Sequence, residues 1–209
     1  PSGNFTDHFA VALTISEYVN FENITLTPIF NNYPYVFDAA FALVPRDFSI
    51  GINHAQLLGG ANNDFASSIV FDELNDVLYL GGTTASPDFQ YPIAVGLNSG
   101  QSDGFISKIE LLNQAPFSQI TSKLTDFNNK VQATRLHDLL YFNSELFACG
   151  QGDLGFIFSK YNAQDLQKDY EINGGVGSQT TGFALAQSAN EGPIVMVGFN
   201  SSPNFPVFG

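Results

Sequence analysis

The apolar and polar positions along the chain alternate in short runs, without the three-to-four-residue spacing of an amphipathic helix. Residues 68–71 (Ser-Ile-Val-Phe) and 77–80 (Val-Leu-Tyr-Leu) are rich in β-branched and aromatic residues, and Gly, Asp and Asn bound them. Such runs are typical of short strands buried on one or both faces. In residues 105–111, Lys108 and Glu110 separate apolar residues and create one polar and one apolar face. The pattern predicts an all-β protein.

Internal repeats organise these strands. Residues 82–89 (Gly-Thr-Thr-Ala-Ser-Pro-Asp-Phe) return 116 positions later as residues 198–205 (Gly-Phe-Asn-Ser-Ser-Pro-Asn-Phe). The Gly-Gly pair at 59–60 likewise returns at 174–175. A match held over this length indicates that one supersecondary unit is used more than once.

A third shared string defines the unit more closely. Residues 103–108 (Asp-Gly-Phe-Ile-Ser-Lys) have a counterpart at 155–160 (Gly-Phe-Ile-Phe-Ser-Lys) and looser ones at 7–13 and 38–43. Open sheets expose long edges that aggregate, whereas a radial arrangement of small blades leaves only short, protected edges. The repeats therefore predict a β-propeller-like array of short antiparallel blades.

Three strings also carry a family resemblance. They are Gly-Gly-Ala-Asn-Asn-Asp-Phe-Ala (59–66), Asn-Asp-Val-Leu-Tyr-Leu-Gly-Gly-Thr-Thr-Ala-Ser-Pro-Asp-Phe (75–89) and Ser-Asp-Gly-Phe-Ile-Ser-Lys-Ile-Glu (102–110). The segment containing them resembles the SBBP-type β-propeller repeat family. The resemblance is strongest over residues 59–112, and the pattern departs at residues 146–150, after which the Ser-Pro-x-Phe loop is missing. It implies a propeller-forming module of secreted or cell-surface proteins, without a shared catalytic constellation.

Counting the repeats predicts about four blades in a single domain spanning residues 1–209. The predicted units are residues 16–47, 48–112, 113–163, and 164–209 completed by 7–15.

The two ends of the chain complement each other. The last unit lacks its Phe-Ile-Ser-Lys strand, and a looser copy of that strand begins at Asp7. We expect this segment, with Phe9, Val11, Leu13 and Ile15, to complete the last blade, because an unpaired edge leaves backbone donors and acceptors unsatisfied. Within one chain the strand would close the ring. Between chains it would give a head-to-tail contact of the kind that builds filaments, and the sequence leaves both alternatives open.

Charge narrows the range of partners. Seven Lys and Arg residues stand against twenty Asp and Glu residues, for a net charge of −13. This balance argues against nucleic acid, whose phosphates are bound by clustered basic residues. No apolar run approaches the roughly 18 residues of a membrane-spanning helix. We therefore expect self-association or contacts with other protein or glycan surfaces, without nucleic acid or membrane insertion.

The sequence carries little sign of catalysis. His8, His54 and His137 fall in different predicted units without metal-ligand spacing, and no Gly-x-Ser-x-Gly elbow is present. A carboxylate pair such as Asp72 with Asp88 would rest on analogy with propeller enzymes alone. The single cysteine lies in an apolar run and is predicted to be a buried core residue. The chain is therefore predicted not to be an enzyme.

Acidic and amide side chains could instead serve calcium, which takes oxygen ligands. The candidates are Asn62, Asn63, Asp64, Asp72, Glu73, Asn75, Asp76 and Asp103. None forms a complete loop motif, and Asp and Asn commonly bond their own backbone in turns. We predict no cofactor, with calcium as the one alternative.

Three N-glycosylation sequons begin at Asn4, Asn23 and Asn200, and Asn4 and Asn200 are predicted to lie in loops. Together with the resemblance, they favour an extracellular or cell-surface glycoprotein.

Two functions remain open from the sequence. The first is a non-enzymatic extracellular structural or adhesion module, most specifically a filament subunit that shares strands head to tail. The second is a glycan-binding or glycan-cleaving β-propeller in which Tyr33, Tyr35 and Tyr91 line a mouth.

Overall fold

A computed structural model gives the fold of the chain. It describes residues 8–17, 19–21, 24–27, 36–47, 52, 54–89, 94–95, 102–111, 124–125, 133–174, 180–188 and 192–201. Every regular element in these ranges is a β-strand, so the all-β prediction is confirmed. The strands, in chain order, are β1 (His8–Ile15), β2 (Val19–Phe21), β3 (Ile24–Leu26), β4 (Asp38–Pro45), β5 (His54–Leu58), β6 (Asp64–Asp72), β7 (Val77–Thr84), β8 (Ala94–Val95), β9 (Asp103–Glu110), β10 (Leu124–Thr125), β11 (Arg135–Phe142), β12 (Glu145–Gly152), β13 (Gly155–Asn162), β14 (Lys168–Gly174), β15 (Thr180–Gln187) and β16 (Ile194–Asn200).

Four antiparallel sheets follow one another along the chain. The first sheet has the order β1-β4-β5, the second β6-β7-β9, the third β11-β12-β13-β14 and the fourth β15-β16. A hairpin of β2 and β3 and a short parallel pair of β8 and β10 complete the described strands. Each sheet is thus a small local unit rather than part of one continuous sheet.

The sheets pack face to face in chain order. Phe41 of the first sheet shares a buried cluster with Leu80 and Phe105 of the second. Tyr79 on the opposite face of the second sheet shares another with Leu139 of the third. The fourth sheet lies on the third, where the Leu185 backbone N–H donates to the Asp138 carboxylate over 2.8 Å. Two apolar faces per sheet explain why the central strands are apolar at nearly every position.

The first strands of the second, third and fourth sheets share one irregularity. The register shifts between Ala66 and Ser68 in β6, between Leu136 and Asp138 in β11, and between Gly182 and Ala184 in β15. Each shift is a β-bulge that inserts one extra residue and bends the strand. These three sheets therefore begin with the same supersecondary unit.

A glycine faces each bulge from the second strand. A Cβ at Gly82, Gly150 or Gly198 would overlap a carbonyl oxygen of the first strand, respectively that of Phe65, Arg135 or Thr181. The repeated glycine is thus explained by close backbone approach at the bulge.

The described residues do not form a closed ring. The fourth sheet packs on the third, and it makes no extensive contact with the first sheet within the described part of the chain. The outer face of the first sheet is covered instead by the β2–β3 hairpin, where Leu26 packs with Ile15 and Ala40. The observed architecture is therefore a series of four sheets with a capped beginning.

The prediction that the N-terminal segment completes the last sheet of its own chain is wrong. β1 pairs antiparallel with β4 over its whole length, from His8 opposite Pro45 to Ile15 opposite Asp38. Pairing with β4 closes a much shorter loop than pairing with β16 would, so it costs less chain entropy. Of the residues proposed for strand completion, Leu13 and Ile15 pack towards the hairpin, Val11 is half-buried and Phe9 is 47% exposed. Asp7 lies outside the described residues.

The sheets also divide the chain at different points from the predicted units. β5 pairs with β4 and belongs to the first sheet, although it was assigned to unit 48–112. β14 pairs with β13 and belongs to the third sheet, although it was assigned to unit 164–209. Gly59 and Gly60 therefore follow β5, the last strand of the first sheet, and Gly174 is the final residue of β14, the last strand of the third sheet.

Candidate functional site

Among the described residues the fourth sheet has two strands, whereas the second and third sheets have three and four. β7 is paired on both sides, with β6 and β9, and β12 is paired with β11 and β13. Their counterpart β16 is paired only with β15 among the described residues. An edge without a strand partner presents backbone N–H and C=O groups that can bind another strand.

Apolar side chains of the third sheet lie beside this edge. Phe147, Phe158 and Tyr170 line a hollow of about 410 Å³ together with Ile194 of β16. Ile172 is directly opposite Phe158 on the neighbouring strand, so it shares the same face. We call the edge of β16 with these residues the acceptor groove. Tyr170 and Ile172 are 44% and 52% exposed, because nothing among the described residues covers the outer half of this face.

The preceding sheets show what occupies the equivalent position. β9 places Phe105 opposite Gly82, and β13 places Ile157 opposite Gly150. Two and four residues further along come the buried residues Ser107 and Ile109 in β9, and Ser159 and Tyr161 in β13. In the second and third sheets, the third strand therefore carries the pattern apolar-x-Ser-x-apolar on the face that packs against the preceding sheet. A strand in the acceptor groove would meet the same surroundings opposite Gly198.

The outward face of the fourth sheet is the second exposed feature. Val195, Val197 and Phe199 of β16 are 51%, 60% and 56% exposed. Ala184 and Ala186 of β15 pair directly with Val197 and Val195 and are also exposed. We call these five residues the end face.

The end face corresponds to buried positions in the other sheets. Aligning Gly198 with Gly82 and Gly150 places Val195 at the position of Tyr79 and Phe147, which are 2% and 6% exposed. In the second and third sheets this face is covered by the sheet that follows. The apolar residues of the end face therefore occupy positions that lie between sheets in the second and third sheets.

A third feature is a cavity of about 410 Å³ between the second and third sheets. Its lining includes Asp72, Asp76, Lys108, Glu110, Tyr141 and Gln164. The Lys108 ammonium lies 3.2 Å from the Glu110 carboxylate and donates to the Gln164 carbonyl oxygen over 2.9 Å.

Asp72 in this cavity accepts hydrogen bonds from its own turn and from the third sheet. It accepts hydrogen bonds from the backbone N–H of Leu74 and of Asn75, from the Asn75 side chain, and from the Tyr141 hydroxyl over 2.6 Å. Burial alone would raise the pKa of Asp72, but these hydrogen bonds outweigh it and hold the pKa below its ordinary value. The prediction of a turn role is confirmed for Asp72 and Asn75. A carboxylate that is satisfied and ionised in this way is a poor general acid.

The carboxylate pair considered from the sequence is not brought together. Asp72 lies at the end of β6 that joins β7, whereas Asp88 follows the far end of β7 and accepts from the Ala61 backbone N–H. The length of β7, roughly 25 Å, separates the two. Glycoside chemistry needs carboxyl groups within about 10 Å of each other, so this pair is excluded.

Two buried aspartates meet instead at the junction of the first and second sheets. Asp38 and Asp64 have no exposed surface, and both flank the Cα of Gly59. Asp64 accepts hydrogen bonds from the Gly60 backbone N–H and the Ser86 hydroxyl, each over 2.8 Å. Burial raises the pKa of Asp64 to about 6 despite these donors, and the nearby Asp38 adds to the rise.

Asp64 is expected to make the folded chain less stable as pH rises. Its pKa is about 6 in the folded state against an ordinary value of 3.8, so the folded state holds the proton more tightly. The stabilisation is therefore complete below about pH 4 and lost as pH rises towards 6, a change of roughly 3 kcal/mol. Unfolding midpoints measured from pH 4 to 7.5 should fall less steeply for Asp64→Asn. The control is Asp153→Asn, at an exposed hairpin turn; an unchanged slope in Asp64→Asn would contradict the assignment.

The remaining predicted site residues have mixed outcomes. Asn200 is the last residue of β16 rather than a loop residue, and its side chain accepts from the Thr180 hydroxyl over 3.0 Å. Asn4, Asn23, Tyr33, Tyr35 and Tyr91 lie outside the described residues.

The single cysteine, Cys149, is buried as predicted, and burial raises its pKa to about 12. His8 and His54 lie in the same sheet with ring centroids 6.5 Å apart, which corrects their assignment to different units. No group of three or more His, Cys, Asp or Glu side chains within the described ranges is arranged to hold a metal ion.

No protein-family model and no curated protein matches this chain. The resemblance to SBBP-type repeats therefore depends on the residues quoted above. Within the described ranges no helix has the length and apolar character needed to cross a membrane.

Repeat alignment would have revealed the end face from the sequence, since it places Val195 at the position of Tyr79. The acceptor groove needed the structure, because Phe158, Tyr170 and Ile172 become its floor only through the pairing of β13 with β14.

Proposed function

We propose that the chain is a non-enzymatic structural module of propeller-like blades that accepts an extended strand from a partner at the acceptor groove. The observation that carries the proposal is the edge of β16, which has one strand partner within the described ranges where β7 and β12 have two. Strand addition of this kind takes affinity from main-chain hydrogen bonds and specificity from alternate side chains.

The partner strand is defined by its chemistry. It carries an apolar residue opposite Gly198, a small polar residue two positions later and a second apolar residue after two more, as in Phe105, Ser107 and Ile109. The side chains on this face would cover Phe158 and Ile172. Burying apolar surface there stabilises the complex by roughly 25 cal/mol per Å² before the cost of association is subtracted.

A second copy of this chain could supply such a strand. Its N-terminal segment has a related pattern in Phe9, Val11 and Leu13, although without the serine. That segment is paired with β4 in the folded chain, so donation would require it to leave the first sheet. If the N-terminal segment of each copy enters the acceptor groove of the next, the copies assemble head to tail into a filament.

We also propose an extracellular or cell-surface location and an adhesive or scaffolding role. The SBBP-type resemblance and the sequons at Asn4, Asn23 and Asn200 support this part of the proposal.

Peptide binding tests strand acceptance directly. A labelled peptide of residues 102–111 should bind the folded chain saturably in fluorescence anisotropy, and a peptide of residues 7–15 should bind more weakly. The matched control is the first peptide with Phe105→Asn and Ile109→Asn, which keeps length and charge but loses both apolar anchors. We expect at least tenfold weaker binding of the control peptide, since each buried apolar side chain contributes about 1.5–3 kcal/mol.

A variant of the groove floor locates the site. Ile172 is 52% exposed, so Ile172→Asp should fold normally and bind the 102–111 peptide at least tenfold more weakly. Leu154→Asp changes an apolar residue of similar exposure at a hairpin turn and should bind as the native chain does. Strand acceptance would be contradicted if the 102–111 peptide and its double-asparagine control bound equally, or if the 102–111 peptide did not bind at millimolar concentration.

A further inference from the structure

We infer that the end face is an interface with the same face of a second copy of this chain, related by a two-fold axis. The end face consists of Val195, Val197, Phe199, Ala184 and Ala186. This inference concerns the face of the fourth sheet and does not depend on strand acceptance at the edge of β16.

The repeat indicates that the end face is built to be covered. Positions equivalent to Val195 hold Tyr79 and Phe147, and those equivalent to Val197 hold Gly81 and Cys149. All four of these residues are buried beneath the sheet that follows. Val195 and Val197 keep the apolar character of such positions at 51% and 60% exposure. A contiguous apolar surface of this kind is typical of a protein–protein contact.

The charge distribution favours a second copy as the occupant. The chain has a net charge of −13, so most contacts between copies would bring carboxylates together and be opposed by repulsion. Residues 180–188 and 192–201, which include the whole end face, contain no Asp, Glu, Lys, Arg or His. Two copies can therefore approach there without placing ionised side chains of these strands against each other.

The first and fourth sheets differ in which faces are covered, and this difference favours a two-fold contact between copies over a head-to-tail contact. A head-to-tail contact through the end face would need a complementary free face on the first sheet, but the β2–β3 hairpin covers that face through Leu26, Ile15 and Ala40. Within the described part of the chain, a head-to-tail partner face is thus lacking. A two-fold contact needs only one face, because each copy presents the same surface to the other.

The shape of the end face suits such a contact. Val195, Val197 and Phe199 form a ridge along β16, and Ala184 and Ala186 form a shallower track along β15. A two-fold rotation can place the ridge of one copy over the alanine track of the other. Large side chains then meet small ones, as in the packed interiors of stacked sheets about 10 Å apart.

The area of the end face determines how tightly two copies are expected to bind. Two strands of seven and eight residues offer roughly 250 Å² per copy, against about 800 Å² per partner in a standard stable interface. The dimer should accordingly be weak, with a dissociation constant of about 0.1–1 mM. It would be populated at high local concentration, as on a crowded cell surface.

Sedimentation equilibrium between 10 μM and 2 mM tests the inference. The native chain should show reversible monomer–dimer behaviour, and Val197→Asp should stay monomeric because each new carboxylate would be buried against the apolar alanine track of the other copy. Leu154→Asp adds the same charge at an exposed apolar position outside the end face and should dimerise within twofold of the native chain. A native chain that is monomeric at 2 mM, or a Val197→Asp variant that dimerises equally, would overturn the inference.

Cysteine cross-linking tests the two-fold arrangement itself. Cys149 is buried, so Val197→Cys and Ala184→Cys variants each present one accessible thiol within the described residues. Mixed under mild oxidation, these two variants should form a disulfide-linked heterodimer at least fivefold faster than a Leu154→Cys variant forms dimers with either. Equal rates for all pairs would contradict a ridge-over-track contact.

Discussion

Gly150→Ala is expected to destabilise the folded chain by about 3 kcal/mol. The added Cβ would overlap the carbonyl oxygen of Arg135, which belongs to the bulged first strand of the third sheet. Backbone on both sides is held by the pairing of β11 with β12, so relief requires moving a strand rather than rotating a side chain. Overpacking of this kind typically costs 1–3 kcal/mol and sometimes more. Denaturant unfolding followed by far-ultraviolet circular dichroism measures the loss.

A second glycine provides the matched control for this substitution. Gly192→Ala would place its Cβ against the Cβ of Ser188, but both residues lie outside the strands, so relief does not require moving a paired strand. We expect a loss below about 1 kcal/mol there. Gly82→Ala should resemble Gly150→Ala, because its Cβ would overlap the carbonyl oxygen of Phe65 at the equivalent bulge. Equal effects at Gly150 and Gly192 would show that the bulge is not the reason for the glycine.

Phe105→Ala is expected to cost about 3–5 kcal/mol, the usual range for truncating a fully buried phenylalanine. The Phe105 side chain has no exposed surface, lies 4.7 Å from the Phe89 ring between centroids, and fills the core between the first and second sheets. The cavity left behind cannot collapse readily, because Gly82 opposite has no side chain to fill it. Thermal unfolding should show a midpoint lower by about 6–20 °C.

An exposed phenylalanine is the control for that truncation. Phe9 is 47% exposed and contacts Arg46 through its ring face, so Phe9→Ala should cost under about 1 kcal/mol. Phe105→Leu keeps most of the volume and should recover more than half of the loss. A similar midpoint for Phe105→Ala and Phe9→Ala would contradict the placement of β9 in the core.

The Phe105 result also bears on strand acceptance. Phe105 occupies in β9 the position that a donated strand would fill opposite Gly198 in the fourth sheet. A large loss at Phe105 would support the importance of this anchor within the chain. It would also predict that the same residue dominates binding of the 102–111 peptide. The contacts proposed at the end face and at the acceptor groove use the fourth sheet in two ways, one through side chains and the other through backbone.

Local sequence patterns were sufficient to predict where strands lie in the chain but not which strands pair with each other. Residues 68–71 and 77–80 lie within β6 and β7, as alternation and β-branched content predicted. The turn role of Asp72 also followed from residue type, because an aspartate bonds to backbone N–H groups a few residues away. The N-terminal segment was read correctly as a strand, yet its partner is β4 rather than β16. Which strand a segment pairs with depends on the length of the connecting loop and on the other strand edges available. Sequence similarity between two segments reveals neither.

The amino-acid sequence by itself determined that this protein is all-β, built from repeated short strands, and strongly acidic. Those properties depend on alternation, turn residues and composition, all of which act over a few neighbouring positions. Only the tertiary structure decided which face of the first sheet is capped, where Asp38 and Asp64 meet, that β16 has one strand partner in the described part of the chain, and that the end face is exposed. These features arise because residues far apart in the chain compete for the same surfaces, and burial is settled by the whole set of contacts.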